Sequence, residues 1–215
     1  VRTCSLKAST SSLISALAAN FSSSVISNQA NIGLSGLYKH IRHFLKRFGY
    51  YDIFLVDPDT GHVIYSVFKE LDYATSLIDG PYANSGLGQA FNKANQLSKP
   101  HDTAIVDFAP YTPSYEDPAS FIASPIFNGD RKVGILVFQM PVDRINAIMT
   151  YDQDWPNRGL GASGETYLVG ADYKMRSLGR FIVDDKQNYM AALRASGTDQ
   201  VLLNKIDLHD TTIGL

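Results

Sequence analysis

Residues 50–68, YYDIFLV-DPDTG-HVIYSVF, leave the chain few local options. Two runs rich in aromatic and β-branched side chains flank a five-residue stretch of turn chemistry. In DPDTG, Pro58 presets its own φ, Asp57 and Asp59 carry short side-chain acceptors, and Gly61 tolerates positive φ. The stretch predicts an antiparallel hairpin. Upstream the period is different. Leu34, Leu37, Tyr38, Ile41, Phe44 and Leu45 recur at helical spacing, with Gly49 at a helix C-terminal position. Earlier still, Leu13, Leu17, Phe21 and Val25 step by four. Residues 1–48 are therefore expected to form a helical stalk, continuous or broken near Gly33.

Downstream, a short helix is predicted over 86–97, ending before Pro100. Three strands follow at 102–109, 120–127 and 132–140, the last two joined by FNGDR, and then a helix at 142–150. Short connections between successive strands predict an antiparallel sheet. The fold class is α+β: a long N-terminal helix, then a PAS-like module with a five-stranded antiparallel sheet and helices on one side, spanning 49–150. FLVDPDTGHVIYS (54–66) and YLVGADYKMRS (167–177) share an aromatic-Leu-Val opening, an acid-containing turn and a second extended run. This repeat predicts a partial second module at 164–215, with 151–163 as linker. The abrupt ends, VRTCSLKASTSS and KIDLHDTTIGL, are expected to be cuts within a longer protein.

Composition narrows the function. Apolar residues make up 45%, enough for a packed core. The formal net charge of -2 argues against a nucleic-acid partner, which calls for a basic face. The basic run KHIRHFLKR (39–47) suits the C-terminal half of a helix. With Cys4 alone, no disulfide framework or cysteine zinc cluster exists within the chain. No run of 18 apolar residues is present.

Motifs of catalysis do not assemble. GLGASG (159–164) matches a dinucleotide fingerprint, but a Trp-Pro loop precedes it and an extended segment follows, the reverse of what pyrophosphate binding requires. It is expected to be a linker, and no cofactor is expected. His40 and His43 stand one helical turn apart, without a third metal ligand in reach, inside a Lys/Arg run. Ser85 precedes glycines but lacks a histidine base in the same block. The chain is not expected to be an enzyme.

Polar residues in and beside strands attract more interest. Asp107 interrupts the apolar run TAIVDFA, and Ser124 does the same in FIASPIF. Each is either a strand-edge group or a side chain turned toward a pocket. Lys69, Glu70 and Asp72 cluster after the second strand, as a surface charge group or a pocket rim. Tyr65, Tyr73, Tyr82, Tyr111 and Tyr115 supply rings with polar tips, suited to a small-molecule wall or to an ordinary core.

YYDIFLVDPDTGHVIYSVFKELDYATSL, GPYANSGLGQAF, DFAPYTPSYEDPASFIASPIF and VGILVFQMPVDRINAIMT, with GETYLVGADYKMRS downstream, resemble the double Cache (tandem PAS-like) sensor region of bacterial transmembrane receptors. The resemblance covers residues 35–181. It implies an extracytoplasmic, periplasmic part of an inner-membrane chemoreceptor, histidine kinase or nucleotide cyclase. It also implies a membrane-distal module that binds a small molecule; a homodimer through the N-terminal helix fits this reading and the structural alternative alike. FKELDYATSLIDGPYANSGLGQAF (68–91) would then be the lid and wall of the pocket. The ligand-binding residues expected on this reading are Tyr65, Lys69, Asp72, Tyr73 and Tyr82 before the third strand, and Asp107, Tyr111, Phe121 and Ser124 after it. The chain departs from the amino-acid-binding pattern of such modules, since no Arg or Trp lies between residues 48 and 130. Asp72 and Asp107, with the tyrosines, suit an amine instead. The alternative is a structural or dimerisation module whose pocket is filled by side chains.

Overall fold

A computed structural model describes residues 34–207. The expected helix over residues 5–27 lies outside them. Two compact units meet at Pro141/Val142, so the helix that follows the sheet clusters with the second unit.

In the first unit, helix α1 (Leu34–Phe48) ends as its glycine predicts: Gly49 takes φ 69° and its N–H bonds the Leu45 carbonyl at 2.9 Å. Strands β1 (Asp52–Val56) and β2 (Val63–Ser66) form the expected hairpin. Asp57 holds its turn, with Oδ1 accepting from the Thr60 N–H at 2.7 Å and the Thr60 hydroxyl at 2.7 Å. Helix α2 (Gly86–Asn95) starts at Ser85, whose Oγ accepts from the Gly88 N–H. Strands β3 (Ala104–Pro110), β4 (Pro118–Asn128) and β5 (Arg131–Pro141) complete the sheet. All pairings are antiparallel, in the order β2-β1-β5-β4-β3.

The expectation that helices cover one side of the sheet is corrected. Residues 119–126 of β4 and 134–139 of β5 are buried without alternation, which requires both faces to be covered. On one face, Ile41 and Leu45 of α1 pack against Ile53, Ile122, Ile126, Leu136 and Phe138. On the other, Leu87, Ala90, Phe91 and Ala94 of α2 pack against Phe54, Val56, Val106, Phe121 and Val137. Strands β1, β5 and β4 form the interior of this sandwich.

The second unit contains α3 (Val142–Thr150), α4 (Arg180–Ala195) and α5 (Gln200–Asp207). The sequence repeat predicts two paired runs at 167–177, but only one isolated bridge forms, Val169 to Met175. No further strand flanks this pair among the described residues, and a lone two-stranded ribbon is marginal. The GLGASG segment has a structural use. Arg180 Nη1 donates to the carbonyls of Gly161 and Gly164, and the guanidinium lies 4.7 Å from the Trp155 ring centroid. Those glycines offer carbonyl acceptors to a cation, the opposite of the N–H donors that a phosphate requires.

Candidate functional site

Asp52 opens β1 and is 0% exposed. Its place in the pleat puts it on the α2 face, two residues before Phe54. The carboxylate accepts three backbone N–H groups: Ile53 at 2.6 Å, Val67 at 2.8 Å and Phe68 at 3.4 Å. The last two lie where the chain leaves β2, so Asp52 anchors the start of the β2–α2 connection. Ser66 Oγ accepts the Lys69 N–H at 2.6 Å, stabilising Lys69 at φ 55°.

Further along the same connection, Glu70 accepts from the Tyr51 hydroxyl at 2.8 Å and from the Ser114 hydroxyl at 3.3 Å. Ser114 Oγ in turn accepts from Gln139 Nε2 at 2.9 Å. Gln139 stands opposite Asp52 in the β1–β5 register. Asp72 is 0% exposed, and its Oδ2 accepts from the Tyr111 hydroxyl at 2.6 Å. Two buried acceptors have no donor: Asp72 Oδ1 and Gln139 Oε1.

Three carboxylates thus gather at one end of the α2 face, and no Lys or Arg among the described residues pairs with any of them. Burial pushes Asp52 up to about 6, against the pull of its three N–H donors and with the Asp72 charge adding to the rise. Burial also raises Asp72, with the Tyr111 bond and the backbone N–H groups of Asp72 and Tyr73 opposing and Glu70 adding to the rise. Tyr111 is raised far out of the physiological range by burial and by the neighbouring acids. The cluster is acceptor-rich and short of cations, chemistry that fits a donor-bearing positive group.

The residues implied by the sequence divide into three sets. Asp72, Tyr111 and Phe121 come together: the Tyr111 ring meets Phe121 edge-on at 5.0 Å, and Tyr82 packs against the same core. Tyr65 and Ser124 belong to the opposite face. Tyr65 packs into the α1 cluster, and Ser124, paired with Leu136, donates to the Asp102 carbonyl at 3.0 Å. Lys69, Tyr73 and Asp107 are exposed; Lys69 Nζ lies 5.5 Å from the Tyr73 ring centroid, and Asp107 Oδ1 accepts the Phe108 N–H. Sequence reasoning missed Asp52, Ser114 and Gln139. Gln139 carried a signal, as the polar residue in the apolar run VGILVFQM. His43 is exposed, and no group of three or more His, Cys, Asp or Glu suited to a metal ion occurs among the described residues.

No family model matches the chain, and no curated protein does. Solved structures do. The ligand-binding domain of the Campylobacter jejuni chemoreceptor Tlp3 in complex with L-valine aligns with a TM-score of 0.53 at 12% identity, covering 85% of this chain and 65% of that one. The ligand-binding domain of the Pseudomonas fluorescens chemoreceptor CtaA in complex with L-serine aligns at 0.51 and 15% identity, covering 79% and 63%. The chain spans slightly less than two thirds of each of these structures. Its fold is that of chemoreceptor ligand-binding domains, the Cache-type class that the sequence resembles.

Proposed function

We propose that the chain is the extracytoplasmic ligand-sensing part of a bacterial transmembrane signalling receptor. Its first unit binds a small molecule beneath the β2–α2 connection and passes the event on as a change in conformation. The observation that carries this reading is the Asp72–Tyr111 cluster, which ties that connection to the sheet while leaving a buried carboxylate oxygen without a donor. A binding event here can shift a signalling equilibrium only through unequal affinity for two states. A connection anchored by three separate carboxylates is an element on which a ligand can act unequally.

An amine is the ligand class favoured by this chemistry. An ammonium supplies donors and positive charge together, and tyrosine rings attract cations. Support from Asp107 falls away, because it is exposed on the edge strand β3. Asp72 bears the argument instead. No helix among the described residues is long and apolar enough to cross a membrane.

One observation favours the second reading, a structural or dimerisation module. Phe54, Leu87, Phe91 and Phe121 fill the α2 face and are all at most 1% exposed. A thermal-shift screen of amines, amino acids and carboxylates separates the two. A ligand at 100 times its Kd stabilises by about 2.7 kcal/mol. A blank across the library favours the structural module.

A further inference from the structure

Among the described residues, the polar cluster is built from four stretches of chain. Strand β1 and its approach bring Tyr51 and Asp52, and the β2–α2 connection brings Glu70 and Asp72. The turn before β4 brings Tyr111 and Ser114, and β5 brings Gln139. None of these is cationic. Lys69 is exposed, with its Nζ turned over Tyr73.

Two independent observations mark the cluster as lacking a donor. Asp72 is 0% exposed and its Oδ1 makes no full hydrogen bond, only the weak pull of the Asp72 and Tyr73 N–H groups, and Gln139 is 2% exposed with Oε1 unpartnered. The Ser114 hydroxyl accepts from Gln139 Nε2 and donates to Glu70, a chain that leaves Gln139 Oε1 without a donor. Buried acceptors in folded proteins are nearly always satisfied. A proton on a carboxyl oxygen or a cationic N–H donor from a ligand each fills the deficit, and each removes the uncompensated charge.

We propose that the cluster exchanges a proton for the cationic head of its ligand, so that protonation at Asp52 and Asp72 competes with amine binding. The proposal rests on the sensor reading above. The raised titration of both carboxyls agrees with it, and the value of about 6 for Asp52 sets the mildly acidic range for its share of the exchange. The sensor therefore reports an amine less sensitively as its surroundings acidify.

The test uses the whole chain with ethylammonium chloride as probe and sodium chloride at matched ionic strength. Calorimetric titration between pH 5 and 8 is expected to show affinity rising by up to about ten-fold per pH unit below pH 6 and levelling above it, the slope for one proton released. Repeating it in two buffers of different ionisation enthalpy is expected to change the observed heat. Asp52→Asn is expected to bind ethylammonium with a flattened pH slope, and Asp72→Asn is expected to lose binding at every pH. A pH-independent affinity with buffer-independent heat overturns the proposal. If carboxylates stabilise the protein and amines do not at any pH, the exchange is wrong and the sensor reading stands. If nothing in the library binds, both fall.

Discussion

The Tyr111 hydroxyl donates to Asp72 Oδ2 at 2.6 Å, joining residues 39 apart in the chain and fixing the β2–α2 connection to the turn before β4. Tyr111→Phe keeps the ring and its contact with Phe121 but removes the one side-chain donor to Asp72. The expected cost is about 1–3 kcal/mol, read as a lower urea midpoint with unchanged slope. Asp72→Asn combined with Tyr111→Phe should cost less than the sum of the two single changes, since both remove one interaction. Additive losses would show that the pair does not act as a unit.

Asp52 predicts a pH dependence in the unliganded protein. Its folded value, about 6, lies above the ordinary 3.8, so the folded state holds the proton more tightly than the unfolded chain. This contribution is complete below pH 3.8 and is lost as pH rises to about 6, amounting to on the order of 3 kcal/mol. Urea unfolding at pH 4, 5, 6 and 7 checks the sign. Asp52→Asn should remove this fall, and a wild-type profile that rises throughout the window would contradict it.

Phe91 is 1% exposed in the contact between α2 and the sheet. Phe91→Ala should destabilise by about 3–5 kcal/mol. Ile64 is 51% exposed on the edge strand β2, and Ile64→Thr should stay within about 0.5 kcal/mol. Chemical denaturation of the two variants measures the contrast directly.

Gly86 begins α2 with the ring of Phe121 below it. A Cβ added there would stand 2.9 Å from Phe121 Cε2 and 3.0 Å from Cδ2. Alanine is the better helix former, yet Gly86→Ala should destabilise by about 1–3 kcal/mol because the ring is held in a packed core. An increase in melting temperature would show that Phe121 can move aside.

Much of this fold was legible because its signals are local. The DPDTG turn, the glycine after α1 and the apolar runs of β4 and β5 each depend on near neighbours in sequence. The candidate site was only partly legible, because its assembly depends on register. Asp52 and Gln139 meet across paired strands from opposite ends of the module. Irregular pairing at Leu55/Val56 and at Val106/Ala109 shifts the alternation of β2 and β3 against their neighbours. Tyr65 accordingly turns to the α1 face, and Asp107 stands exposed beside the second irregularity. Ser124 resembled a pocket residue only because nothing local tells which face of a doubly covered strand points where.

The central claim is tested most directly by the melting temperature of wild type, Asp72→Asn and Asp107→Asn with a panel of primary amines and matched carboxylates at pH 7.5. At least one amine is expected to stabilise wild type and Asp107→Asn alike, by about 2.7 kcal/mol at 100 times its Kd, and to leave Asp72→Asn unmoved. Stabilisation that survives in Asp72→Asn, or no stabilisation by any amine, would contradict it.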